Sequence, residues 1–132
     1  MTATHTFPKS GRLCSRKLTE SLFTAGSHAC SAFPLRVVYR LLDEAEKDGQ
    51  SPVQLLVSVS KRHFKHAVDR NRTKRQIREA WRLNRDILLS TLPADRQLII
   101  AFVWQADALQ PSALVHRKLK NLLHRMAEQL SS

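Results

Sequence analysis

Val53-Gln54-Leu55-Leu56-Val57-Ser58-Val59-Ser60 and, after eight intervening residues, Asp69-Arg70-Asn71-Arg72-Thr73-Lys74-Arg75-Gln76-Ile77-Arg78-Glu79 decide how this chain folds. The first stretch is short, apolar and β-branched, the pattern of a strand. From Asp69 to Leu92 the apolar spacing becomes helical. At about 100° per residue, Ile77, Ala80, Trp81, Asn84, Ile87 and Leu88 share roughly a third of the helix circumference. Arg72, Lys74, Arg75, Arg78, Arg82 and Arg85 lie opposite them. One face can pack on a sheet while the other presents six cations in a strip about 20 Å long at ~1.5 Å of rise per residue. This places Trp81 in the core rather than on a stacking surface.

Outward from that core unit, Leu18, Leu22 and Phe23 recur at helical spacing before Gly26, which predicts a short first helix. Phe33 to Leu42 reads as a strand. The acidic stretch from Asp43 to Pro52 reads as a solvated turn, across which the strands 33–42 and 53–60 most simply pair antiparallel. Leu98 to Trp104 is almost continuously apolar, as expected of a strand buried on both faces. Pro111 suits the first turn of a last helix, whose stripe is Val115, Leu119, Leu122, Met126 and Leu130. The order is α-β-β-α-β-α, with or without one extra short strand. The fold class is α+β, a small α/β sandwich with one sheet packed with helices.

The chain has 132 residues, with 22 Lys and Arg against 11 Asp and Glu, a formal net charge of +11. The length fits a single domain, residues 1–132, with an ordered core over about 7–128. No apolar run approaches the ~18 residues of a membrane span, and residues 1–8 show no secretory signal. Cys14 and Cys30 form no paired motif and read as buried or partly buried thiols in a cytoplasmic protein. Four of the 11 acids crowd into residues 43–52; outside that stretch stand 21 basic and 7 acidic residues, a net charge of +14. Between Lys61 and Arg85, ten of 25 residues are Lys or Arg. An excess of this size points to a polyanion, and nucleic acid is the commonest one.

The basic strip itself divides, with Lys74, Arg78 and Arg85 on one flank and Arg72, Arg75 and Arg82 on the other. Such a helix edge can touch two strands of polyanion at once. The guanidinium fork suits bidentate contact with phosphate, consistent with five Arg to one Lys here. The last helix carries Arg117, Lys118, Lys120 and Arg125, but one charged face opposite a leucine stripe is routine, and the structural reading is preferred there.

Ser58-Val59-Ser60-Lys61-Arg62, followed by Ala67-Val68-Asp69 and the string Arg70-Asn71-Arg72-Thr73-Lys74-Arg75-Gln76-Ile77-Arg78, resembles the signature of the bacterial ribonuclease P protein subunit family. Phe7-Pro8-Lys9, Arg12-Leu13 and Phe23 resemble that family's opening segment, so the likeness runs over about residues 7–128. The resemblance implies an α/β sandwich with a left-handed β-α-β crossover. It also implies a partner, a large catalytic RNA bound in about a one-to-one ratio. That RNA holds Mg²⁺ and cleaves precursor tRNA at its 5′ end, while the protein grips the RNA and the 5′ leader and itself holds no catalytic residue and no metal. Carried over by position, Arg70, Asn71, Arg72 and Arg75 would dock the catalytic RNA, with Ser60, Lys61, Arg62, Lys65 and Arg82 extending that surface. Phe23, Ser58, Lys74 and Arg78 would face the leader, where aromatic stacking on unpaired bases is worth ~1–3 kcal/mol per base. The chain departs from the family pattern at Thr19, where an aromatic is usual, at Leu56, where a glycine is usual, and around Val103-Trp104-Gln105, where a basic pair is common.

Three other readings compete. A ribosomal-protein-like RNA-binding protein without a processing role fits the basic helix, but the Arg-Asn-Arg string fits it less well. A DNA-binding helix-turn-helix lacks a partner helix one tight turn before residue 69. A nuclease working through His63 and His66 without RNA lacks paired carboxylates for a two-metal site, and both histidines read better as additional RNA-facing polar groups. Cys30 with His28 offers only two metal ligands.

Overall fold

The computed structural model describes Leu22 and residues 27–42, 53–92 and 97–131. Within them lie strands β1 (His28–Ala32), β2 (Leu35–Leu42), β3 (Val53–Ser58) and β4 (Gln97–Trp104). The helices are α1 (Ala67–Asn84), the single turn α2 (Asp86–Leu89) and α3 (Ser112–Ser131). One four-stranded sheet has the order β1-β2-β4-β3. β1 with β2 and β2 with β4 are antiparallel, whereas β3 with β4 is parallel. A parallel pair cannot be closed by a tight turn, and α1 with α2 supplies the crossover between them.

β4 takes the centre because its sequence tolerates burial on both sides: Leu98, Ile99, Ile100, Ala101 and Phe102 are all fully buried. Leu98, Ile100, Phe102 and Trp104 join Leu35, Val37, Tyr39, Val53, Leu55 and Val57 under the helices. Ile99 and Ala101 face the other way with Val38 and Leu42, and Leu22 covers them. Each large aliphatic side chain so buried contributes about 1.5–3 kcal/mol relative to an exposed one. α3 seals the helical face with Val115, Leu119, Leu122, Leu123 and Met126 fully buried and Leu130 partly so.

The mixed sheet packed with helices is the architecture expected, and the optional extra strand exists as β1. Several details differ. The strand expected from Phe33 starts at Leu35, because Phe33 and Pro34 form the β1–β2 turn, across a cis peptide bond; proline has no N–H for a ladder. β2 and β3 are not partners: β4 lies between them. Chain proximity across residues 43–52 favoured the direct pairing, but the strand with two apolar faces needs a neighbour on each side. β3 ends at Ser58, although Val59 remains buried.

The central helix begins two residues before Asp69 and breaks after Asn84. There the Asn84 Nδ2 donates to the Ala80 carbonyl at 2.9 Å and competes with the helical ladder. Pro111 stands just before α3, its carbonyl accepting from the N–H groups of Leu114 and Val115 at 3.1 and 3.2 Å. The helix expected around Leu18–Phe23 lies outside the described residues except for Leu22, as do Cys14, Thr19 and the acidic stretch.

Candidate nucleic-acid interface

The basic segment between β3 and α1 is a built loop. The Ser60 carbonyl accepts from the N–H groups of His63 and Phe64 at 3.1 and 3.3 Å, and the Ser60 hydroxyl accepts from the Arg62 N–H at 3.1 Å. That closes a turn and leaves Lys61 and Arg62 exposed at its apex. Phe64 is buried, its ring 6.3 Å from that of Trp104 at the end of β4. His63 Nδ1 meets Asp107 Oδ1 at 2.7 Å and ties the loop to the segment after β4, so this ring is turned into the protein rather than offered outward. His66 is exposed immediately before α1.

Arg70 completes the loop. From the first turns of α1 its Nη1 donates to the carbonyls of Phe64 and Lys65 at 2.9 and 3.2 Å. The resemblance groups Arg70 with the docking residues; the structure places it half-buried beneath the loop that carries Lys61, Arg62 and Lys65, all exposed. Asn71, Arg72 and Arg75 are exposed on the helix surface itself.

Along α1 the buried side chains are Thr73, Gln76, Ile77, Ala80 and Trp81, the Trp81 ring lying 6.3 Å from Phe102. Opposite them, Arg72, Arg75, Arg78, Arg82 and Arg85 are exposed and Lys74 is partly buried. Gln76 was not singled out by its polar type, yet it sits one turn before Ala80 on the same face, and that position was the available signal. Its Nε2 donates to the Gln110 carbonyl and the Ser112 hydroxyl, both at 3.0 Å. The Gln76 side of α1 therefore faces α3. Arg72 lies one turn before Gln76 on the same edge of α1 and Arg75 further out around the helix, whereas Lys74 and Arg78 lie toward the opposite edge, away from the Gln76 contact.

Glu79 interrupts the strip and pairs with Arg82, Nε to Oε2 at 3.1 Å, which raises the Arg82 pKa and fixes its fork on the surface. On the sheet face away from the helices, Ser58, Val103 and Arg36 stand in register across β3, β4 and β2. Ser58 and Arg36 are exposed there, beyond the part of the face that Leu22 covers. Arg36 was not anticipated, although it alternates with the buried Leu35 and Val37 along β2. Phe23 lies outside the described residues.

Cys30 is a buried free thiol, and His28, two residues earlier, sets its ring 5.5 Å from Tyr39. Among the described residues, no three His, Cys, Asp or Glu side chains come together as a metal site, and no helix is long and apolar enough to cross a membrane.

Comparison with known proteins gives one family. The model of the family described as Ribonuclease P matches residues 7–127. A "Ribonuclease P protein component" of Porphyromonas gingivalis is 41% identical over 132 residues, covering 98% of this chain and 93% of that protein. One from Chlorobaculum tepidum is 34% identical, covering 91% and 84%. Among solved structures, the ribonuclease P protein of Thermotoga maritima superposes with a TM-score of 0.66 at 24% identity, over 86% of this chain and 96% of that one. That of Staphylococcus aureus gives 0.65 at 19% identity, over 88% and 94%; these two likenesses concern the fold.

Proposed function

The chain belongs to the family of ribonuclease P protein components, and on that premise we propose a division of labour in which it is the non-catalytic, RNA-binding partner of a catalytic RNA in tRNA 5′ maturation. In this reading Arg72 and Arg75 dock the catalytic RNA together with Asn71 and the loop cations Lys61, Arg62 and Lys65. Lys74, Arg78 and Ser58, with Phe23, serve the 5′ leader of precursor tRNA. Mg²⁺ belongs to the RNA, since what this surface offers is cations rather than carboxylates. Complex formation is one-to-one and takes place in the cytoplasm.

The observation that carries the reading is the partition of the α1 cations. Gln76 holds one side of the helix against α3 through two 3.0 Å bonds, so Arg72 and Arg75 are directed to one surface and Lys74 and Arg78 to another. Two RNA segments can then be gripped at once by guanidinium and ammonium groups.

Precursor tRNA incubated with the protein alone, with the cognate RNA alone, and with both at low Mg²⁺ tests this. Cleavage only when RNA is present, stimulated by the protein and leaving a 5′ phosphate, is the expected result. Cleavage by the protein alone, or cyclic-phosphate ends, would overturn it. Tight RNA binding without any stimulation would make the protein a ribosomal-protein-like binder instead.

A further inference from the structure

The loop between β3 and α1 carries Lys61, Arg62 and Lys65 on its exposed side, and two of its ties come from the basic segment itself. The Ser60 turn closes one end, and Arg70 reaches the carbonyls of Phe64 and Lys65 at the other. Neither tie fixes the loop relative to the sheet. Phe64 does so in part, buried with its ring 6.3 Å from that of Trp104. An apolar contact of this kind is non-directional and sets depth rather than orientation.

The remaining tie is directional. His63 Nδ1 meets Oδ1 of Asp107, 44 residues further along the chain, at 2.7 Å. An ionised carboxylate only accepts, so Nδ1 is the nitrogen that donates, and the bond stands whether or not Nε2 carries a proton as well. Asp107 belongs to a segment that is itself held. Ala106 beside it is buried, and the Gln105 N–H donates to the Pro34 carbonyl of the β1–β2 turn at 2.8 Å. The bond therefore runs from the residue next to Arg62 to a stretch pinned between the end of β4 and the β1–β2 turn.

The charge of Asp107 opposes its surroundings. Its side chain is 84% exposed, against 12% for His63, and it stands beside a loop of cations. By charge alone such a carboxylate repels phosphate and works against RNA binding. Its directed bond to His63 works the other way: a loop already ordered before RNA arrives does not have to be ordered by binding.

We propose that Asp107 is a positioning residue for RNA docking, which through His63 fixes the direction in which Lys61, Arg62 and Lys65 are presented to the catalytic RNA. This rests on the assignment of those loop cations to RNA made above, and adds to it an acid from outside the signature segment. Net charge and preorganisation make opposite predictions for the loss of this carboxylate.

The full-length protein is titrated with the cognate catalytic RNA over a salt series as wild type, Asp107→Ala, Asp107→Asn, His63→Ala, His63→Ala/Asp107→Ala and Arg72→Ala/Arg75→Ala. Both Asp107 variants remove one negative charge, but the asparagine keeps an oxygen that can accept from Nδ1. Asp107→Ala is expected to bind severalfold more weakly than wild type in spite of its higher net charge, with a log–log salt slope shallower by roughly one unit as a loop phosphate contact is lost. Asp107→Asn should restore affinity and slope. The double variant should bind no more weakly than His63→Ala, because the two residues act through one bond. The Asp107 side chain is mostly in solvent, so its truncation leaves no cavity, and the circular dichroism of Asp107→Ala should match wild type. Loss of its helical signal would make Asp107 a support of the whole fold and overturn the inference. If the two Asp107 variants bind equally, whether more tightly or more weakly than wild type, charge alone governs and the inference falls; the docking reading stands if Arg72→Ala/Arg75→Ala weakens binding in the same series. If that pair also binds as wild type, the docking reading falls with it.

Discussion

Gln76, midway along α1, donates its Nε2 to the Ser112 hydroxyl at the start of α3, at 3.0 Å, and to the Gln110 carbonyl at the same distance. This buried amide sets how α1 and α3 lie against each other. Gln76→Leu removes both bonds and strands the Gln110 carbonyl, and is expected to destabilise the protein by about 1–3 kcal/mol. The loss should appear as a lower urea midpoint at unchanged m-value.

Arg70 acts from beneath the basic loop. Arg70→Lys keeps the charge but not the planar fork that spans the Phe64 and Lys65 carbonyls. Limited trypsin digestion should cut faster after Lys61, Arg62 and Lys65 in this variant, and affinity for the catalytic RNA should fall although the net charge is conserved. Unchanged digestion would show that the loop holds without Arg70.

The two flanks of α1 should separate in function. Arg72→Ala and Arg75→Ala are each expected to weaken binding to the catalytic RNA and to lower the salt slope by roughly one unit, as loss of a phosphate contact does. Lys74→Ala and Arg78→Ala should leave that affinity nearly unchanged and raise KM for precursor tRNA, more for a substrate with a long leader than for one with a short leader. Steady-state cleavage with paired substrates provides the measurement.

Tyr39, the only tyrosine of the chain, is buried in the sheet, and burial, with Cys30 beside it as the second cause, pushes its hydroxyl up from 10.0 to about 12. The raised value means that the folded state keeps its proton when the unfolded state has lost it. The stabilisation is full below pH 10.0 and is lost as the pH rises toward about 12. Tyrosinate absorbance should titrate near 12 in the folded protein and near 10.0 in denaturant, and Tyr39→Phe should abolish this part of the alkaline loss of stability.

Much of this was readable in the chain. The period of Ile77, Ala80, Trp81 and Leu88 against that of the arginines located the basic helix and its core face, because a helix imposes its own spacing whatever it packs on. The uninterrupted apolar run at Leu98–Trp104 marked the strand with two buried faces. The Arg-Asn-Arg string carried the family. Pairing was a different matter. Residues 33–42 and 53–58 are neighbours along the chain, and nothing local in either says that β4 comes between them.

The site divides in the same way. The sequence by itself determined which residues are cations and which turn of the helix each occupies, since charge and helical phase are local properties. Only the tertiary structure decided what each cation faces. Arg70 is turned under its loop by two backbone carbonyls, and Arg125 is held by Ser31 on a distant strand. The start of α3 lies against the middle of α1 because Gln76 bonds Ser112, 36 residues away in the chain. Contacts over such separations arise from burying shared apolar surface, and no local pattern of residues encodes them.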